Sequence, residues 1–216
     1  VAVGSYAAYA FTTSNWNVLV GYEAGTSMTT GNYNVAIGYQ ALEMCTTDTD
    51  NVAVGLRSLE KCVQSNNTAV GNYSLQENTT GQYNVAFGRS AGASITTGDY
   101  NTAVGALALD ELTTADSNTA VGYIALGKCT TGTRNNALGR SAGQEVTTGS
   151  NNTLIGHDAG GNVSTGGGNT FLGRSTGVNC TTGSNNICIG NSSDISDGSS
   201  EDRIVIGRSI NLQVND

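Results

Sequence analysis

The chain has 216 residues, of which 38% are hydrophobic and only 12% charged, with a formal net charge of −8. Its nine Lys and Arg are scattered rather than clustered, which excludes the concentrated basic surface that nucleic acid or an anionic membrane needs. No apolar run approaches the roughly 20 residues of a bilayer span, so neither nucleic acid nor membrane insertion is expected. Thirty glycines, no proline and abundant Asn, Thr and Ser would describe a disordered chain, were the sequence not strictly periodic.

From the N-terminus onward a glycine recurs at Gly4, Gly21, Gly38, Gly55, Gly71, Gly88, Gly105, Gly122, Gly139, Gly156, Gly173, Gly190 and Gly207, at a step of 17 residues except for one of 16 after Gly55. Thirteen copies at so constant a period predict a stacked repeat protein, in which each unit buries its apolar face only against its neighbours. One elongated all-β domain is expected over residues 1–210. Because it begins in mid-repeat at Val1, it is expected to be a piece of a longer fibre.

Four residues before the glycine stands asparagine in eleven successive copies: Asn17, Asn34, Asn51, Asn67, Asn84, Asn101, Asn118, Asn135, Asn152, Asn169 and Asn186. An amide at a turn can satisfy local backbone and, in stacked copies, the amides above and below, which predicts a structural ladder. The next three residues alternate: β-branched Val or Thr, then a small residue, then a bulky apolar one such as Ile37, Phe87 or Leu138. Alternation with β-branched enrichment predicts a strand. Its large side chains are expected in the core, and its alanines, Ala36, Ala53, Ala69, Ala86, Ala103, Ala120 and Ala137, on a strip facing a close neighbour.

Past the glycine a second apolar segment follows (Tyr39–Leu42, Ala106–Leu109), then a further apolar column including Met28, Cys45, Ile95 and Leu112, then a turn most often written Thr-Thr-Gly. Each rung is therefore expected to hold two short strands and two turns. The single 16-residue copy loses its residue between Cys62 and Asn67, inside the turn. Rungs stacked about 4.8 Å apart give a rod of about 60 Å. Toward the C-terminus the alanine positions become Leu154, Phe171, Cys188 and Val205, predicting a wider or more interlocked interior. After Gly190 the turn is replaced by the acidic run Ser192–Asp202, read as an irregular insertion over 191–203 that forms a solvated junction, with cation chelation as the alternative. Residues 211–216 are expected to begin the next segment.

With so few aliphatic side chains per rung against so many ordered backbone residues, one chain is short of apolar burial. That shortage and the alanine strip predict a parallel homo-oligomer with cyclic symmetry, most simply a trimer.

No Ser-His-Asp set, carboxylate pair or metal spacing recurs, so no catalytic, cofactor or metal residues are assigned and an enzyme is not expected. His157 follows an anchor glycine where other copies carry Tyr22, Tyr39, Arg89 or Arg140, a surface position. Cys45 and Cys62 fall on adjacent rungs, within reach of a bridge, but thiols acting as small core hydrophobes explain all five cysteines. Paired threonines suggest ice binding as a lesser reading, although adjacent residues of an extended segment face opposite ways. Trp16, Tyr33, Tyr83 and Tyr100, each just before the asparagine, are expected to project from one corner, where they either cover the turn beneath or stack on sugars.

N-V-A-I-G-Y-Q-A-L (Asn34–Leu42), N-T-A-V-G-Y-I-A-L (Asn118–Leu126) and N-V-A-F-G-R-S-A-G (Asn84–Gly92) resemble the head repeats of YadA-type trimeric adhesins. The longer form with its Thr-Thr-Gly turn resembles repeats of bacteriophage and viral tail fibres. The resemblance covers essentially the whole chain and implies a left-handed parallel β-roll assembled as a homotrimer. The function expected is a structural and adhesive segment of an extracellular or virion fibre, with a host-surface glycan or protein receptor as partner. The alternative is a bacterial adhesin head that itself binds matrix or glycan.

Overall fold

The computed structural model describes residues 1–209, so the segment expected at 211–216 lies outside the described residues. Thirteen strands, from β1 (Ala2–Val3) to β13 (Ile204–Ile206), form one sheet in sequence order, with every neighbouring pair parallel. Register follows the repeat: Val18 pairs with Val35, Val35 with Val52, and Val52 with Thr68 across the one shortened copy. The residue missing between Cys62 and Asn67 leaves the sheet intact, because the turn absorbs it. The chain is a parallel β-solenoid of 17-residue rungs with no helix among the described residues.

The anchor glycine explains where each strand stops. At Gly38 φ is 140°, and a Cβ there would lie 2.7 Å from the carbonyl carbon of Gly55 one rung on. Only glycine allows both that dihedral and that rung-to-rung approach.

The second strand expected in each rung is absent, which corrects the sequence reading. After the glycine the backbone runs through turns, with left-handed residues two and four positions on, such as Gln40 (φ 53°) and Leu42 (φ 51°). This arrangement sends alternate amides to different partners. Gln40 N–H donates to Tyr22 O (2.9 Å) on the preceding rung, Leu42 N–H to Ser58 O (3.1 Å) and Met44 N–H to Glu60 O (2.9 Å) on the following one, while Cys45 N–H closes a turn onto Leu42 O (3.3 Å). Backbone groups are satisfied as a ladder requires, yet with too much curvature for a strand. The segment reads as a strand in sequence because it is short and apolar, but its burial does not alternate, since the adjacent Ala41 and Leu42 are both buried.

The two strand faces are also reversed. Ala36, Ala53, Ala69, Ala86, Ala103, Ala120 and Ala137 lie inside the roll, buried within their own chain, whereas Val18, Ile37, Val85, Phe87, Leu138, Leu172, Ile204 and Ile206 face outward and are exposed. A strip of alanines is therefore not available for contact between chains. The reason is the width of the coil. A three-residue strand turns only its middle side chain inward, and that side chain meets, across a narrow interior, the residue four past the anchor. Where the middle residue is alanine, the facing position is most often a buried leucine (Leu42, Leu59, Leu75, Leu109, Leu126). Where it is Leu19, Leu154 or Phe171, the facing residue is glycine (Gly25, Gly160, Gly177), and a Cβ at Gly25 or Gly160 would lie 3.0 or 2.7 Å from the leucine methyls. At Leu154 and Phe171 the bulk sits on the strand wall instead of the facing one, whereas Ala86 and Ala137 also face glycines (Gly92 and Gly143), where the side chains of Leu75, Ile95, Leu126 and Leu154 reach into the space.

The third wall is the column seven past the anchor: Met28, Cys45, Cys62, Ile95, Leu112, Cys129, Val146, Val163 and Cys180 are all fully buried. Asn78 occupies this column too, and its side-chain amide is buried without a hydrogen-bond partner among the described residues. Burial also makes the Asn78-Thr79-Thr80 sequon inaccessible in the fold.

Candidate functional site

All eleven asparagines of the expected ladder are buried. Each works in two directions. Asn101 Oδ1 accepts the backbone N–H of Asn118 (3.0 Å), while its Nδ2 donates to Ala115 O (2.9 Å) in the turn of the next rung and to Asn84 Oδ1 (3.2 Å) below. Where Arg203 replaces the asparagine, its N–H still reaches Asn186 Oδ1 at 3.1 Å. The ladder thus ties every strand start to the turn that precedes the next one.

One position before this ladder lie Trp16, Tyr33, Tyr83 and Tyr100, projecting from one corner with exposures of 72%, 54%, 48% and 60%. They form two pairs: Trp16 and Tyr33 stack with centroids 5.0 Å apart and planes 6° from parallel, and Tyr83 and Tyr100 with 5.1 Å and 1°. Their backbones are left-handed, with φ of 55°, 58°, 57° and 59°. The same position is left-handed in the other rungs, where it is mostly filled by residues that tolerate it: Asp50, Asn66, Asn151, Gly168, Asn185 and Asp202. For a residue with a full side chain this conformation costs about 1–2 kcal/mol, so a pair costs about 2–4, and stacking contributes about 0.5–1.5 kcal/mol. Stacking alone does not offset the strain.

The surface position after the anchor glycine carries a second aromatic group whose stacking the sequence reading missed. Tyr22 and Tyr39 stack at 5.3 Å and 13°, and Tyr6 meets Tyr22 edge-on at 6.0 Å. The signal was present in the tyrosines directly after Gly21 and Gly38. Between the two columns runs the outward sheet face, whose bulky apolar side chains repeat on successive rungs over nearly the whole rod.

No family model matches the chain, and no curated protein or solved structure is significantly similar to it.

The remaining candidates are occupied locally. In the threonine pairs the first hydroxyl donates to the carbonyl of its counterpart one rung on, as in Thr96 Oγ1 to Thr113 O (3.1 Å) and Thr130 Oγ1 to Thr147 O (3.2 Å). The second threonines (Thr30, Thr97, Thr131, Thr148) are exposed in single file, rather than as the paired rank that an ice-binding face would present. His157 is half-buried, with Nδ1 2.7 Å from Asp158 Oδ2 and Nε2 3.4 Å from Arg140 Nη1. In the acidic run Asp194 turns inward, where it accepts the N–H groups of Asn179 and Ile195, both at 2.9 Å, while burial raises its pKa. Asp197 is engaged by the N–H and hydroxyl of Ser199 and by Ser200, which lower its pKa.

All five cysteines are free and buried, Cys45 and Cys62 included. Burial pushes the thiols of Cys62 and Cys188 up to about 12 and those of Cys129 and Cys180 up to about 11, from 9.0. Cys45 is raised as well, first by burial and then by its neighbours Cys62 and Asp48. The unfolded chain loses these protons from about pH 9, whereas the folded chain holds them. Stability is therefore fully present below pH 9 and falls as pH rises through the window from 9 to about 12. The urea midpoint should stay flat from neutral pH to that point and then drop. At pH 8 a disulfide reagent should find no reactive thiol in the native protein and five after unfolding.

Proposed function

We propose that the chain is a shaft or head segment of an extracellular fibre, of the virion or cell-surface kind, in which three copies of a left-handed roll pack in parallel. It is not an enzyme, and its work is mechanical: it holds a receptor-binding part away from the body that carries it. The observation that carries this reading is the outward sheet face. Val, Ile, Leu and Phe side chains exposed on one face of successive rungs, with Phe87 at 55% and Leu138 at 50%, form an apolar strip longer than monomeric proteins leave uncovered. Contact through small-residue sides, expected from the alternation alone, gives way to contact through large-residue sides, and cyclic symmetry buries all three strips around one axis.

Stiffness supports the same reading. The backbone ladder runs through twelve rung-to-rung steps, about 58 Å at about 4.8 Å each. The asparagine ladder follows it from Asn17 to Arg203, while the threonine ladder runs in two stretches on either side of Val63. The exposed aromatic corner favours the second reading, an adhesin head that itself contacts glycan or matrix.

Light scattering should give about three times the 22.0 kDa chain mass. Phe87→Lys with Leu138→Lys should yield a folded single chain, because buried lysines would meet across the axis. A wild-type protein that is a stable, soluble 22.0 kDa monomer at micromolar concentration would remove the trimer.

A further inference from the structure

Side chains in one column take the residue type that their backbone allows unless something else selects them. At the corner position the left-handed backbone favours Asn, Asp and Gly, and these fill half the rungs. The aromatics are confined to two adjacent pairs, Trp16 with Tyr33 and Tyr83 with Tyr100. The dihedral is not what marks them, since Leu42, Tyr73 and Arg134 are left-handed too. What sets these four apart is that they are stacked in pairs and about half or more exposed, with ring faces open to a contact outside the chain.

The space between the pairs indicates what that contact is. Asp50 and Asn66, short and exposed, occupy the two rungs separating Tyr33 from Tyr83. Three rung steps set those rings about 14 Å apart, and each has its outer face toward the gap, its inner face being covered by its stacking partner. The floor offers hydrogen-bonding groups: the Asp50 carboxylate, which accepts from Thr49 Oγ1 at 2.8 Å, the Asn66 amide, and the Gln82 amide, joined to Gln64 at 3.2 Å. Two aromatic walls over a polar floor match the two chemistries of a pyranose, whose C–H faces stack on rings and whose hydroxyls pair with amides and carboxylates. Asp48 and Asp50 beside the gap, on a chain of net charge −8, select against anionic sugars.

We propose that the trough between Tyr33 and Tyr83, floored by Asp50 and Asn66, binds a neutral oligosaccharide. The inference rests on the second reading, an adhesin head that contacts glycan, and names its site and sugar class; it does not need the trimer, since one chain supplies every group.

The test uses the whole chain with soluble oligomers of glucose, mannose, galactose and N-acetylglucosamine, and with sialylated and sulfated oligosaccharides beside them, followed by saturation-transfer NMR of the sugar and by the emission of Trp16, the single tryptophan, which stacks on Tyr33. Saturation of ring-face C–H protons and a shifted, saturable Trp16 emission with Kd of about 1 mM or tighter are expected for at least one series. Tyr33→Asn with Tyr83→Asn should weaken that binding at least tenfold and leave the thermal midpoint unchanged or higher, since asparagine suits the backbone. Three results would overturn the proposal: no neutral series binds, only sialylated or sulfated sugars bind, or the double variant binds as wild type or melts several degrees lower, which would mark the rings as packing. Binding that persists in the Phe87→Lys, Leu138→Lys chain separates this site from assembly, so either inference can fail without the other.

Discussion

Asn101→Ala should destabilise the protein by about 2–6 kcal/mol, because it strands two buried backbone groups at about 1–3 kcal/mol each. Those groups are the Asn118 N–H, 3.0 Å from Asn101 Oδ1, and the Ala115 carbonyl, 2.9 Å from Nδ2. Both lie where the roll admits no water, since Asn101, Asn118 and Ala115 are all buried. The aspartate variant separates hydrogen bonding from volume. Asn101→Asp keeps the acceptor for Asn118 but loses the donor and sets a carboxylate against the Ala115 carbonyl. Its buried carboxyl is held protonated, above its unfolded pKa, so its stability is present at low pH and lost as pH rises. Urea midpoints should therefore rank wild type, alanine, aspartate at pH 7, with aspartate recovering toward pH 4. In the single chain Asn136 faces outward from its strand and is exposed, so in the Phe87→Lys, Leu138→Lys background Asn136→Ala should stay within about 0.5 kcal/mol. Equal losses at Asn101 and Asn136 would show that the ladder is not what holds the rungs.

The ladder was legible because a period of 17 with a polar residue held at one position through eleven copies has few physical solutions. Strand position, parallel order, register and the harmless deletion before Asn67 followed from the same period. Which face of the strand looks inward did not. Alternation in Val35-Ala36-Ile37 marks two faces, and side-chain size then points to the wrong one, since it takes no account of how narrow a 17-residue coil is. The information that decides it lies beyond the strand, across the anchor glycine, in the matching of Ala36 with Leu42 and of Phe171 with Gly177. The missing second strand has a similar cause: Tyr39–Leu42 is a short apolar segment like a strand, but the left-handed dihedrals of Gln40 and Leu42 leave no mark in a pattern of apolar residues. The aromatic corner was legible as a column and not as strain, for the same reason.

That matching of opposite walls can be tested as a double-mutant cycle. Phe171→Ala empties the interior at its largest side chain, where Phe171 is fully buried, and should cost about 3–5 kcal/mol. Gly177→Leu should also destabilise alone, by about 2–4 kcal/mol, since its Cβ would strike the Phe171 ring and overpacking adds to the left-handed cost. Together the two changes recreate the pairing of Ala36 with Leu42, with leucine placed on a left-handed backbone (φ 66° at Gly177) close to the one Leu42 already adopts (φ 51°). The double variant should then lie within about 1–2 kcal/mol of wild type, a coupling at or above the usual upper range of about 3 kcal/mol for residues in contact. Simple additivity, with the double variant near the sum of the two losses, would mean that the walls relax independently. In that case the alternation of Leu and Gly four residues past each anchor needs another cause than volume.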